Sequence, residues 1–351
     1  MSFRFPIFSD ILVLNLAKMN QELKLSKFAK YAFFVLAINI VVILWGAFLR
    51  ASLSGDGCGQ YWLTCGGEVV PTAPQFKTVI EFTHRLSTGL TFLAVALLFV
   101  WAFRKFEKNH RLRKTAFASF LFIVVEALIG AGLVLTGNTA GNWTPSRPFW
   151  MSAHLITTFS LLAVLTLTVW FGVGGKPFNF KSKPKILLLL GLSVFGLLLV
   201  GMSGSIAALS SMLFPSPTLA EGVAKDFGET SHILLRLRVS HPILSVSVGV
   251  FLFFLAGWLK SQAKENFWTN RWANVLSVLI LIQFASGVLT LLTLAPIVLQ
   301  LIHLLLADLV WIAFILLSAN VLADQNEAAE KVSFKAEKQS GIGWQHRNNF
   351  Q

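Results

Sequence analysis

The chain has 351 residues, of which 55% are hydrophobic and only 13% charged, with a mean hydropathy of +0.69. A soluble domain carries about 25% charged residues, so this composition excludes a soluble globular protein and points to a chain that crosses a membrane several times. The net charge of +13 reads as topology and not as a nucleic-acid surface, because the basic residues cluster in short loops between apolar stretches.

The first thirty residues carry Phe3, Phe5 and Phe8 but also Asp10 and Glu22. They read neither as a cleavable signal peptide nor as an Arg-rich organelle presequence. Met19 is an alternative start, which would leave Lys24, Lys27 and Lys30 flanking the first span. A span needs about twenty apolar residues. Eight are predicted, over 31–49, 79–103, 115–136, 149–172, 186–213, 232–259, 272–292 and 298–322. Arg4, Lys18, Lys24, Lys27 and Lys30 precede the first span, and Arg104, Lys105, Lys108, Arg111, Arg113 and Lys114 join spans two and three. More basic residues lie in 173–185, in 260–271 and after the last span. Positive residues stay inside, so these segments and both termini are expected in the cytoplasm, with outer loops at 50–78, 137–148, 214–231 and 293–297. A bacterial inner membrane is the simplest home.

The first outer loop holds both cysteines, Cys58 and Cys65. A disulfide there fits an oxidising outer face, as a structural staple or as a redox relay. Span two then opens with Glu81-Phe82-Thr83-His84-Arg85. Ionisable residues at the mouth of a span are costly and suggest function. Glu81 and His84, three apart, share a helical face, so an imidazole able to ligate a metal stands beside a carboxylate able to handle a proton. The bland alternative is a pair wetted by lipid headgroups.

Of seven histidines, His84, His154, His241 and His303 lie inside even-numbered spans, each toward the outer end. His110 and His346 fall in cytoplasmic segments and His232 at a span edge, where all three are expected to be solvated bystanders. Two imidazoles on facing helices suit a heme iron with both axial positions filled, and a four-helix bundle is a natural place for one. The chain also reads as duplicated. Glu126 stands four before Gly130 in span three, and Gln283 four before Gly287 in span seven; Pro148 precedes His154 and Pro296 precedes His303. The predicted fold is all-α: eight transmembrane helices as two pseudo-symmetric four-helix bundles, 31–172 and 186–322, between tails at 1–30 and 323–351. Glycines in spans three, five and seven allow close helix approach or leave space for a flat macrocycle. The tail from Asp324 reads as a frayed helix or as disordered.

The halves differ. Glu81 precedes His84 by one turn, whereas His241 has Arg238 at that position and Pro242 after it. Pro242 frees the carbonyl of Arg238 and bends the helix. The first site thus suits proton-coupled chemistry. The second suits a permanent heme, with Arg236 or Arg238 meeting its propionates or, equally, lipid headgroups.

The stretch Glu81 to Arg85, the paired-cysteine loop, His154-Leu155, and the run from Gln300 through His303 to Asp308 together resemble the heme A synthase family, over about residues 31–322. That resemblance implies an oxidoreductase of cytochrome oxidase assembly, converting a methyl group of heme O to the formyl group of heme A by successive hydroxylations. His84 and His154 would be axial ligands to the substrate heme, and His241 and His303 to a heme B cofactor. Glu81 would be the catalytic acid, with a protonated form favoured by desolvation, and Cys58 and Cys65 would form the outer disulfide. Arg85 and Arg238 are candidate propionate contacts. The chain departs from the family in span six, where His241-Pro242 replaces the frequent His-Arg. Expected partners are heme O, membrane lipid and an external electron donor, with the heme O-making enzyme and a second copy of the chain as candidates, and no nucleic acid.

The main alternative is a bis-histidine diheme cytochrome for quinol-linked electron transfer. It would commonly place its hemes toward opposite faces, whereas here all four histidines gather on one side. A repeat-built transporter would place its polar residues near the midplane. A heme farnesyltransferase would show paired Asp-rich motifs, and the sequence has none.

Overall fold

The computed structural model describes residues 26–139, 141, 143–180, 184–263 and 266–345, with side chains as far as Ala323. The expectations for residues 1–25 and for His346 lie outside the described residues. The chain is all-helical, with α1 (Lys27–Ala51), α2 (Phe76–Lys105), α3 (Arg111–Leu135), α4 (Arg147–Gly172), α5 (Pro184–Leu213), α6 (Leu219–Phe227), α7 (Ile233–Arg238), α8 (Ser240–Gln262), α9 (Phe267–Leu292) and α10 (Ile297–Gln345). Eight stretches among the described residues are long and apolar enough to cross a membrane, the sixth composed of α7 and α8 together.

Several of these helices begin before the apolar spans, and side chains cap some of those starts. Ser26 accepts from the Ala29 amide at 3.1 Å, and Asn266 from the Thr269 amide at 2.9 Å. Such caps satisfy amides that have no partner within the helix. The ring nitrogen of His110 does the same for the Leu112 amide at 3.2 Å, and its ring stacks on Phe106. His232 caps α7 through the Leu234 amide at 3.2 Å and packs against Trp143 and Phe214. Both histidines, expected as solvated bystanders, are therefore structural.

The sixth span breaks where Pro242 requires it. The helix ends at Arg238, four residues before the proline, and restarts at Ser240, because a proline in a helix leaves the carbonyl four residues earlier without its amide. Sequence reading missed α6, a short helix in the connection between α5 and α7. Thr218 caps it by accepting from the Glu221 amide at 3.2 Å. At the other end α10 runs on as helix to Gln345, which decides between the two readings of the polar tail.

In the first half α1 packs on α2 and α4, with α3 against α2 and α4; in the second, α5 and α9 pack on α8, and α10 on α9. The halves meet where α4 packs on α5 and α10, and where α10 also reaches α1. At this seam Trp311 stacks on Phe159, ring centres 5.3 Å apart, and its indole N–H donates to the Phe159 carbonyl at 2.8 Å. Many hydroxyls inside the bundle donate to their own helices; Thr166 donates to the Leu162 carbonyl and Ser193 to the Leu189 carbonyl. An apolar surround offers such groups no water.

Trp311→Phe keeps the stacked ring and removes only the indole donor. It should cost about 1 kcal/mol, read as a lower midpoint of thermal unfolding in detergent; an unchanged midpoint would mean that the bond adds nothing to the seam.

Candidate functional site

Each of the four span histidines falls in the first third of its span: His84 on α2, His154 on α4, His241 on α8 and His303 on α10. Three of them lie against a glycine on the preceding spanning helix. A Cβ at Gly46 of α1 would stand 2.9 Å from His84 Cε1, one at Gly204 of α5 2.9 Å from His241 Cε1, and one at Gly287 of α9 3.1 Å from His303 Cε1. Any larger residue would have to displace the imidazole, so these glycines set how closely each ring can lie to its neighbouring helix. Gly130 of α3 has open space beside it. The fourth histidine, His154, meets a side chain instead: its Nδ1 lies 3.0 Å from Glu126 Oε1 on α3.

In the second half the rings of His241 and His303 face each other at 90°, with centres 6.3 Å apart. Each Nδ1 has a hydroxyl neighbour, Ser203 at 3.1 Å for His241 and Ser286 at 2.9 Å for His303. Gln283 Nε2 lies 3.3 Å from His303 Nε2. A hydrogen bond at one ring nitrogen orients the other toward a metal. Two imidazoles at about 2 Å from one metal have ring centres about 6 Å apart, which this pair matches. Among the described residues no group of three or more His, Cys, Asp or Glu could hold a metal ion. A two-imidazole site therefore suits an iron whose other ligands come with a macrocycle. In the first half His84 on α2 and His154 on α4 project from helices that both pack against α1 and α3. His84 Nδ1 is buried without a partner among the described residues, an unmet polar atom of the kind a bound group satisfies. These residues fit heme.

The disulfide Cys58–Cys65 is present, and its loop is fastened to the mouth of α2. Glu81, 3% exposed, accepts the Cys58 amide at 2.8 Å through Oε2. Its Oε1 takes Arg85 Nε at 3.1 Å and Nη2 at 2.5 Å. Arg85 Nη1 donates to the carbonyls of Tyr61 at 2.6 Å and Thr64 at 2.7 Å. Thr78 holds the Gly57 carbonyl at 2.8 Å. In this arrangement Glu81 and Arg85 grip the loop and each other. Arg238 acts in parallel on the other half: its Nε pairs with Asp226 at 2.5 Å and its Nη2 donates to the Gly222 carbonyl at 3.0 Å, fastening α6 to α7. Arg236 donates to the Glu229 carbonyl at 2.7 Å.

Sequence reading placed the four histidines and Glu81 at the site and gave the glycines of spans five and seven a spacing role, but it gave no role to Glu126, Ser203, Ser286 or Gly46. The spacing Glu126–Gly130 and Gln283–Gly287 was the available signal. Asp308, five residues beyond His303, is fully buried, and neither carboxylate oxygen has a partner among the described residues.

A family model described as "COX15-CtaA: Cytochrome oxidase assembly protein" matches residues 29–315. A protein of Thermus thermophilus named protoheme IX farnesyltransferase is 43% identical over 297 residues, covering 85% of this chain but 49% of that protein. The chain thus spans about half the length of that relative and of its counterpart in a second strain of the same species, again at 49%. A protein of Halalkalibacterium halodurans named heme A synthase is 29% identical over 286 residues, covering 78% of this chain and 89% of its own length.

The grip on the outer loop is testable by itself. Arg85→Met strands the Glu81 carboxylate in a buried position and should cost about 3 kcal/mol, with faster proteolysis within 52–75. Lys77→Met removes an exposed ion pair to Asp56, 3.6 Å apart with half-exposed side chains, and should change neither readout measurably.

Proposed function

Because the chain belongs to the COX15-CtaA family of cytochrome oxidase assembly proteins, we propose that it is a heme A synthase, an enzyme that oxidises a methyl group of heme O to the formyl group of heme A. The observation that carries this reading is the pair of two-imidazole sites toward the same end of the spans, one on α2 and α4 and one on α8 and α10. The name of the Halalkalibacterium halodurans relative, matched over 89% of its length, supports the same reaction, and nothing comparable favours a quinol-linked diheme carrier.

In this reading the first half is the substrate bundle, with His84 and His154 binding heme O, and the second half holds heme B between His241 and His303. Heme iron supplies the redox chemistry when bound. Two successive hydroxylations, each inserting one atom of dioxygen while the other leaves as water with two protons and two electrons from an external donor, convert the methyl carbon to a gem-diol, which loses water to give the aldehyde. His84 and His154 would hold and orient the porphyrin, and the loop closed by Cys58–Cys65 would keep water out. Gln60 of that loop reaches Gly137 at the end of α3, its Nε2 within 2.6 Å of where a Cβ would stand, so the loop extends over the first bundle. Glu81, one turn before His84 and ion-paired to Arg85, would accept a proton beside the reacting methyl group and pass it on. Its ties to the Cys58 amide and Arg85 set where that carboxylate points. Arg85 and Arg238 face the outer segments and are the candidate propionate contacts.

The two halves are pseudo-symmetric bundles in this proposal, lying in a bacterial inner membrane with both termini cytoplasmic. An external donor supplies electrons. The Thermus relative carries a matching half within a longer chain named protoheme IX farnesyltransferase, which supports an association with the enzyme that makes heme O.

Expression beside a heme O producer, followed by pigment extraction, tests the reaction: heme A should appear, and heme O alone would reject the assignment. Glu81→Gln should leave heme O unconverted, whereas wild-type conversion would remove its proposed role. Gly204→Val should drive His241 out of place and lower the heme-to-protein ratio. Gly191→Val, on the same helix with open space at its Cβ, should retain both hemes.

A further inference from the structure

The two sites differ in what stands behind one of their imidazoles. His154 Nδ1 lies 3.0 Å from Glu126 Oε1, in ion-pair range although off the axis of a hydrogen bond. The carboxylate does not drift there freely. Thr157 donates to its Oε2 and Thr158 to its Oε1, both from the turn of α4 that follows His154. The Glu126 side chain is 17% exposed. At the corresponding place in the second half stands Gln283, four residues before Gly287 as Glu126 is four before Gly130. Gln283 approaches His303, and the Nδ1 of that ring is met by the Ser286 hydroxyl at 2.9 Å. One half thus backs the Nδ1 of an imidazole with a carboxylate, and the other backs the Nδ1 of its counterpart with a hydroxyl, the Gln283 amide lying at the opposite ring nitrogen.

We infer that Glu126 is a positioning residue that gives the N-terminal heme a lower reduction potential than the C-terminal one. Two physical effects act in the same direction. A carboxylate behind a ligating imidazole fixes the ring and raises its basicity, which favours the more highly charged iron. A negative charge held in a poorly solvated bundle also stabilises that iron through space, far more than it would in water. The neutral groups around His303 supply neither effect. The pairing also accounts for the open space at Gly130. On this pair of helices the imidazole is located by an acid, so the glycine contact seen at the other three histidines is not required.

The inference rests on the two-heme reading, and the test separates them. Purified holoprotein, from cells also producing heme O, is titrated electrochemically while its heme absorbance is followed. Glu126→Gln should raise the midpoint of one heme toward that of the other and leave the second unmoved. Gln283→Glu should lower the midpoint of the C-terminal heme. A purely structural role for Glu126 would change heme content or thermal stability without selectively shifting one potential. If Glu126→Gln sheds its heme, Gln283→Glu carries the test alone. Unchanged midpoints with full heme content would overturn the inference and leave the two-heme reading standing. Unchanged heme content in His154→Ala would overturn that reading, and the inference with it.

Discussion

Close approach between neighbouring helices is the constraint on which both sites depend. An imidazole projecting from one span can turn into the bundle only where the facing helix offers no side chain. Gly46, Gly204 and Gly287 meet that condition for His84, His241 and His303. In a membrane the apolar effect does little to press helices together, and small residues that let backbones approach take its place. The same residues that allow packing here also decide where a ligating nitrogen can lie. The exception is instructive. His154 is located by the charge of Glu126 on α3, so the four positions are met by two different physical devices.

In each half an arginine close in sequence to a span histidine, Arg85 beside His84 and Arg238 beside His241, fastens an irregular connecting segment. Arg85 joins the buried Glu81 to two loop carbonyls, and Arg238 joins Asp226 to the Gly222 carbonyl. A guanidinium suits this work because its planar set of donors can satisfy a carboxylate and several carbonyls at once. The outer segments themselves share nothing. One is closed by the disulfide Cys58–Cys65, the other is the short helix α6. The halves therefore agree in how their ligands are carried and differ in how they are covered.

Much of this was legible in the sequence, for reasons that can be named. Long apolar runs mark spans whatever their neighbours, and histidines at matched depth in alternate spans stand out because membrane interiors rarely tolerate them. The break before Ser240 followed from Pro242 alone. Other features had no local signature. Glu126 meets Thr157 and Thr158 thirty residues away in sequence, and Arg85 meets backbone carbonyls, which every residue has. His110 and His232 looked idle because a cap depends on the turn that follows and not on hydropathy. The short helix α6 lay hidden in a loop whose polarity masked it, although Thr218 and Glu221 formed a readable start.

The stacked pair Phe159 and Trp311 has a bearing on transport of charge. Phe159 sits on the helix that carries His154, and Trp311 on the helix that carries His303. The helices that would bear one ligand of each proposed heme are thus keyed together by stacked rings and a backbone bond, not left to slide in lipid. Tunnelling falls steeply with distance, so in the proposed two-heme reading a fixed gap would make the rate of exchange between the hemes a property of the scaffold.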